Sequence, residues 1–506
     1  MMSDLRTVLR DMGAIYIMIG IISLITVLVP IFFGELPGTS IDGLTPILIT
    51  SAVFFLFGVP FYLLFKNADP ANFKSAMVTA ALGWLTISVV GSLPFLLMPF
   101  NVNTFATMDS LSAFFESMSG WTGTGLTMVD NEALLPYTLQ FWRTFIQWIG
   151  GVGVIVLTLS ILARPGTGSY VLYKGEARDQ KTHPSVVSTV RTIWWIFLLY
   201  TVIGILALTA VGFFVQSNGM DPWQALNHAM TGLATGGFSV TDDSIASFDA
   251  ISQFVVIILM VLGSIAFAAH YDLLNGRLKR FFRDPQLKSM LLFFIVGISV
   301  LSLLNMSGIL SFPHFADAFG PAAFQFISAL TCTGFASVES LAVWSESSLL
   351  LLSFAMVIGG AAGSTAGGIK LFRAILLYKG VGWRIKQAIS TPRRVFVHKL
   401  GEKPLSKENA MDLINEAAII SFIWIILLSA SVMILSSIYS DYSLGKVIFE
   451  VCSAQGNVGL TSGITSISMN TTAKSMLIVN MWIGRLEIIP VIVLIRSFFG
   501  IRRNVI

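Results

Sequence analysis

Charged residues are scarce in this sequence. Asp, Glu, Lys and Arg make up 11% of its 506 residues, hydrophobic residues make up 55%, and mean hydropathy is +0.80. A water-soluble domain carries roughly 25% charged residues. This chain cannot cover a water-facing surface, so it reads as a membrane protein with several spans and no large soluble domain. Cysteine is nearly missing. The two present, Cys332 and Cys452, exclude a disulfide framework, and each reads as a small buried apolar side chain. The spans lack a metal-ligand cluster: the most suggestive histidine, His228, has no Cys or His beside it. That argues against a membrane-embedded enzyme. A phosphate-binding loop is also missing, because residues 359–368 are glycine-rich without the spacing or the preceding strand. The chain has no nucleotide-binding domain of its own, and nothing in it points to nucleic acid. Intramembrane carboxylates do not form the chain that proton-coupled carriers use, so coupling to protons or sodium is left open. The stretch 1–11 is too polar, and the apolar run behind it too long, for a cleaved signal peptide.

Apolar sequence is what abounds. A membrane helix needs about 20 mostly apolar residues. Ten segments qualify: 12–33, 47–65, 77–98, 139–162 (interrupted by Arg143 and Gln147), 193–215, 251–270, 290–309, 349–377, 419–438 and 475–499. Four further stretches, 111–121, 223–234, 318–330 and 447–454, are too short to cross. Each runs into a Gly/Thr/Ser-rich segment. These are Thr122-Gly123-Thr124-Gly125-Leu126-Thr127, Ala234-Thr235-Gly236-Gly237-Phe238-Ser239, Thr331-Cys332-Thr333-Gly334-Phe335-Ala336 and Gly456-Asn457-Val458-Gly459-Leu460-Thr461.

The four segments are in register. A glycine followed by Leu or Phe recurs at Gly125, Gly237, Gly334 and Gly459, and Ser119, Thr231, Ser328 and Ser453 align ahead of them. Outer loops have no reason to repeat a small-residue pattern in register. Packing glycines belong inside spans rather than between them. Irregular backbone at membrane depth is tolerated where it is buried in protein or lines a water-filled cavity. The expected fold is therefore an all-α polytopic membrane protein with four pseudo-repeated span–pore loop–span units around one pore. Two extra N-terminal helices occupy 1–70. The repeats fall at 71–165, 166–275, 276–400 and 401–506.

Lys and Arg cluster on one side of this scheme, and that side is expected to face the cytoplasm with both termini. They are Arg164, Lys174, Arg178, Lys181 and Arg191; then Arg277, Lys279, Arg280, Arg283 and Lys288; then Arg384, Lys386, Arg393, Arg394, Lys399 and Lys403; and finally Arg496, Arg502 and Arg503. The other side is acidic, with Asp130, Glu132, Asp221, Asp242, Asp243, Asp249, Asp317 and Glu339; Lys446 and Lys474 are its exceptions. An acidic vestibule raises the local cation concentration. Rings of backbone carbonyls can replace the water that a cation sheds, and glycine brings carbonyls near an axis with no side chain in the way. Short helices ending at the loops point their negative dipole ends inward, which favours a cation.

Several stretches resemble the Trk/Ktr/HKT superfamily of potassium transporters, most closely the TrkH type. These are 114–120 leading into the first glycine segment, 142–153 (Trp-Arg-Thr-Phe-Ile-Gln-Trp-Ile-Gly-Gly-Val-Gly), 359–370 (Gly-Gly-Ala-Ala-Gly-Ser-Thr-Ala-Gly-Gly-Ile-Lys) and Gly484-Arg485-Leu486-Glu487. The resemblance covers the chain in order, and the two extra N-terminal helices fit this type. It implies potassium uptake through a channel-like pore in the plasma membrane. Its implied selectivity filter comprises Thr122, Gly123, Thr124, Gly125, Ala234, Thr235, Gly236, Gly237, Thr331, Cys332, Thr333, Gly334, Gly456, Asn457, Val458 and Gly459. The resemblance implies potassium as the transported ion, and no covalent cofactor is expected. The fourth segment departs most from the others, at Asn457-Val458.

Glycine destabilises a helix interior by about 1 kcal/mol relative to Ala, so 359–370 should break its span. The resemblance implies that this break is an intramembrane gate, with Gly359, Gly360, Gly363, Ser364, Thr365, Gly367, Gly368 and Lys370. Arg485 lies well inside the last span, where a buried arginine costs at least about 2.5–3.5 kcal/mol. It should face the pore near that gate or pair with a carboxylate such as Glu487. Glu116, Arg143 and Glu450 are expected to brace the short helices. The basic loop 373–403 suits an acidic partner surface or lipid headgroups. The resemblance implies a separate TrkA-like nucleotide-binding regulator, which would supply the only nucleotide, and a homodimer.

Overall fold

The computed structural model describes residues 2–153, 186–215, 218–307, 314–390, 397–401 and 403–498. The end of the expected span 139–162 lies outside them, as do Arg164, Lys174, Arg178, Lys181, Arg393, Arg394, Arg502 and Arg503. Among the described residues, six helices are long and apolar enough to cross a membrane: Asp4–Phe33, Leu44–Phe65, Phe73–Leu97, Val187–Phe214, Pro285–Met306 and Lys407–Ile438. The first begins well before residue 12. It passes through a 3₁₀ turn at Leu24–Val27 before ending at Phe33. It packs along Leu44–Phe65, where Gly13 faces the backbone of Tyr62 and Gly58 faces that of Ile17. Small residues at such a contact let two membrane helices approach closely.

The four short stretches are helices, three of them somewhat longer than the sequence implies and the second shifted by one residue: Ser110–Thr122, Pro222–Leu233, Phe315–Leu330 and Leu444–Gln455. Asp109 and Asp221 accept backbone N–H groups at the start of the first two. Such caps satisfy donors that have no partner within the helix. Each short helix leads through its glycine segment to a second helix: Tyr137–Val152, Ala250–Ser264, Glu346–Ile358 and Thr471–Arg485.

Straight spans at 251–270 and 475–499 are not what forms. Ala250–Ser264 meets Phe267–Leu274 at 106°, and Thr471–Arg485 meets Ile489–Phe498 at 112°. In the first bend the free carbonyls of Gly263 and Ser264 accept N–H bonds from Thr365 (3.2 Å) and Ala361 (3.0 Å), in the glycine-rich break of the next repeat. In the second, Glu487 and Ile488 adopt positive φ (55° and 75°) and Ile488 N–H bonds to the Ile483 carbonyl at 3.2 Å, closing the helix end. The third repeat breaks at 359–370 as expected, between Glu346–Ile358 and Leu371–Ala388. Tyr137–Val152 ends at Gly153, whose φ is 104°. Every second helix therefore stops at a similar distance past its glycine segment. A short antiparallel hairpin, His398–Leu400 with Lys403–Leu405, lies in the basic loop.

Candidate functional site

The four glycine segments share one backbone conformation. Each short helix ends in a bond from the residue before the shared glycine to the carbonyl of the aligned Ser or Thr. These bonds run from Thr124 to Ser119 (2.8 Å), Gly236 to Thr231 (2.9 Å), Thr333 to Ser328 (2.9 Å) and Val458 to Ser453 (2.9 Å). The residue between takes positive φ every time: Gly123 69°, Thr235 51°, Cys332 55° and Asn457 54°. The shared glycines follow with φ of 90°, 78°, 89° and 101°. Asn457, the most divergent residue of the set, holds the same conformation as its counterparts, and asparagine visits this region more readily than most residues.

The segments also close on one another in order. A Cβ on Gly125 would overlap the Gly236 carbonyl oxygen, one on Gly237 that of Thr333, one on Gly334 that of Val458, and one on Gly459 that of Thr124. Each glycine thus abuts the backbone of the next segment, and the fourth returns to the first. Thr122 and Thr124 share a hydroxyl bond of 2.7 Å, and Thr331 and Thr333 one of 2.8 Å. The second and fourth segments have Ala234, Gly236, Gly456 and Val458 at those places. Cys332 is fully buried.

One position on the short helices holds the far limb of every loop. It is Glu116, His228, Gln325 and Glu450, nine residues before each shared glycine. Glu116 accepts from Thr127 Oγ1 (3.0 Å) and Met128 N (2.7 Å), and Glu450 from Thr461 Oγ1 (2.9 Å) and Ser462 N (2.7 Å). His228 Nε2 lies 2.8 Å from Ser239 Oγ. The Gln325 amide donates to the Phe335 carbonyl at 3.3 Å and accepts from Ser337 N at 3.1 Å. The expected bracing role of Glu116 and Glu450 is the observed geometry. His228 and Gln325 as their counterparts escaped notice, though counting back from the glycines would have found them. Ser119 Oγ is buried without a partner among the described residues.

Two side chains of Tyr137–Val152 fasten the first segment to the second. Arg143 bonds Glu116 (2.8 Å), Thr127 Oγ1 (3.1 Å) and the Ser239 carbonyl (2.9 Å), and stacks over the Phe238 ring at 4.3 Å. Gln147 donates to the Gly236 carbonyl at 2.6 Å and accepts from Phe238 N at 2.9 Å. Above the ring opens a cavity of about 340 Å³ lined by all four shared glycines together with Asp130, Glu132, Asp242, Asp243 and Glu339; among the described residues Arg143 is its one basic lining residue. Burial pushes the Glu132 carboxyl up to about 7, against the attraction of Arg143.

Beneath the ring, the glycine-rich break lies against the undersides of the second and fourth segments. Thr365 Oγ1 meets Thr235 Oγ1 at 2.9 Å and donates to Gly263 O at 2.9 Å, while Gly368 N bonds to Gly456 O at 3.1 Å. Gly359, Gly363, Gly368 and Lys370 all take positive φ, and Gly367 abuts the Gly456 carbonyl where no Cβ would fit. Gly360 accepts from Leu371 N (2.8 Å), Ser364 Oγ donates to Ala361 O (2.6 Å), and Lys370 Nζ donates to Ala366 O. Arg485 reaches this loop: it donates to Thr365 O at 3.0 Å, to Gly151 O at 2.8 Å and to Gly150 O. Glu487 pairs with Arg373, at the start of the helix after the break.

Fold and site together define a polytopic membrane protein with four pore-loop units arranged in a ring. A family model described as TrkH, cation transport protein, matches residues 44–499, and the chain belongs to that family. It is 35% identical to an uncharacterized cation transporter of Methanocaldococcus jannaschii over 98% of this chain and 96% of that protein. It is 32% identical to the Trk system potassium uptake protein TrkH of Escherichia coli, over 86% and 87% of the two chains. The crystal structure of the potassium transporter TrkH from Vibrio parahaemolyticus superposes with a TM-score of 0.79 at 26% identity, covering 98% of this chain and 99% of that one.

Proposed function

We propose that this protein takes up potassium through the ring of four glycine segments. The observation that carries this reading is the closed order of contacts, Gly125 on Gly236, Gly237 on Thr333, Gly334 on Val458 and Gly459 on Thr124. Four backbones in one conformation around one axis offer carbonyl oxygens in place of an ion's water shell. The short helices aim their negative ends at the same place. The acidic cavity above raises the cation concentration at the mouth. The Escherichia coli and Vibrio parahaemolyticus relatives are named as potassium uptake or transport proteins, which supports the same cargo. The membrane potential drives the ion inward with about 2.3 kcal/mol per charge per 100 mV.

In this reading residues 359–370 and Arg485 form the gate, because they stand directly below the ring and bond one another. The protein lies in the plasma membrane with both termini in the cytoplasm. The basic segment 373–403, helical up to Ala388, docks a TrkA-like nucleotide-binding regulator, and two copies pair as a homodimer. The deciding test is uptake of potassium, rubidium and sodium in cells lacking other potassium systems, alongside Gly334→Ser. Potassium and rubidium should enter in preference to sodium, and Gly334→Ser should lose that preference. A wild-type protein that moves no monovalent cation with its regulator present overturns the proposal.

A further inference from the structure

We infer that the N-terminal helix pair is a positioning element for the filter, acting through Glu35. The helix Tyr137–Val152 starts after Pro136, which has no side-chain oxygen to cap it. Its first N–H groups are taken from another part of the chain: Glu35 Oε1 accepts from Tyr137 N at 2.7 Å and Oε2 from Thr138 N at 2.9 Å. Both carboxylate oxygens are thus engaged, and Glu35 is buried. A carboxylate at a helix N-terminus gains from the free donors and the dipole together.

The attachment is broader than one residue. Phe33 stacks on Tyr137 with ring centroids 3.9 Å apart at 8°, and meets Trp223 edge-on at 4.9 Å. Gly43 packs against Thr138 so closely that a Cβ would strike its hydroxyl. Gly43 N also bonds to the Glu35 carbonyl at 3.0 Å, so Glu35 is itself held from both sides of the helix connection.

What this clamp holds is the rod that reaches the first two glycine segments and Arg485. Arg143 and Gln147 fasten the first and second glycine segments. At its inner end the carbonyls of Gly150 and Gly151 receive Arg485. A shift or rotation of the rod at Glu35 is passed by a rigid helix to Gly236 O and Ser239 O. The inference rests on the potassium-filter reading above, and gives the N-terminal pair a role in ion discrimination in addition to membrane anchoring.

The test separates helix capping from positioning. Glu35→Ala removes both; adding Pro136→Ser restores a cap within the helix but leaves the rod detached from the N-terminal pair. Potassium-over-sodium uptake is measured per amount of protein in the membrane, with thermal unfolding of the purified protein alongside. Glu35→Ala should reduce that preference on the order of tenfold. Pro136→Ser in the Glu35→Ala background should return the unfolding temperature toward wild type without restoring the preference. Glu35→Gln, which keeps one acceptor, should fall between. Unchanged discrimination in Glu35→Ala, or discrimination restored by Pro136→Ser, overturns the inference. So does failure of both Glu35→Ala and Glu35→Gln to accumulate, since Glu35 is then needed for folding alone. A wild-type protein that does not distinguish the two ions fails the potassium reading instead, which the same assay reports separately.

Discussion

Asn457 Nδ2 donates to Thr124 Oγ1 at 3.0 Å, joining the last repeat to the first across 333 residues of sequence. The same amide nitrogen donates to Met481 O at 2.9 Å. The ring is thereby closed by a side chain at the one junction where the fourth segment diverges. The residue meets two demands, a left-handed backbone and a cross-ring donor. Asn457→Gly keeps the first and drops the second, so it should weaken potassium selectivity while leaving the unfolding temperature close to wild type. Asn457→Val fails both, and forcing a branched residue into this conformation costs roughly 1–2 kcal/mol. Rubidium uptake under sodium competition, read with thermal unfolding, checks both. Wild-type selectivity in Asn457→Gly would show that the bond to Thr124 is incidental.

Arg143 and Glu116 form a buried pair, and removing one partner strands the other. Arg143→Met should destabilise the protein by about 3–5 kcal/mol, the usual penalty for an uncompensated buried charge. Glu116→Gln in the same chain should recover part of that loss, because the carboxylate closest to Arg143 is then neutral, while Glu132 still loses its partner at 3.9 Å. Neither change restores the bond to the Ser239 carbonyl, so transport should stay impaired even where stability returns. A double-mutant cycle on unfolding temperature, paired with uptake, separates the two effects. Coupling near zero would contradict the pairing.

Glu132 brings a pH dependence to the acidic cavity above the ring. Its carboxyl titrates at about 7, raised by burial, with Arg143 at 3.9 Å and with Glu116 and Asp242 as its acidic neighbours. Above that pH it adds a negative charge to the vestibule; below it the charge is gone. A unit charge on the order of 8 Å from an ion in water is worth about 0.5 kcal/mol, so KM for potassium should rise roughly twofold as external pH falls from about 8 to 6. Stability runs the opposite way. A carboxyl raised above its unfolded value near 4.5 favours the folded state fully below that value and loses this contribution as pH rises through about 7. Glu132→Gln should flatten both trends. An unaltered KM profile in that variant would assign the effect to other vestibule groups.

Much of this arrangement was legible because its signals are local. Four glycines in register mark the ring, and the short apolar stretches ahead of them mark the helices that hold it. The glycine run at 359–370 announces its own break. The bends after Ser264 and Arg485 are marked less plainly: one glycine precedes each, Gly263 and Gly484, and Pro490 follows the second, but neither carries a run of glycines. Those helices end because other segments compete for them. Ala361 and Thr365 take the last carbonyls of one, and Arg485 is drawn toward Thr365, Gly150 and Gly151 in the other. Glu35 was equally invisible, since its partners lie 102 and 103 residues away. Closeness in sequence suggests Glu487 as a mate for Arg485, but Glu487 meets Arg373 instead.

The gate reading makes its strongest demand on Arg485. Its guanidinium spans three carbonyls, those of Thr365 in the third repeat and Gly150 and Gly151 in the first. A planar fork can serve several acceptors at once, and a lysine ammonium on a flexible stem holds them less rigidly. Arg485→Ala should therefore release the loop and raise the initial rate of rubidium uptake without the regulator, and Arg485→Lys should give a smaller rise. Deleting 363–367 should raise flux by the same route. Combining the deletion with Arg485→Ala should add little, because residues acting on one element are not additive. A sum of the two separate increases would mean that the arginine and the loop obstruct the ion independently. No change in flux for either would reduce the break to a packing kink.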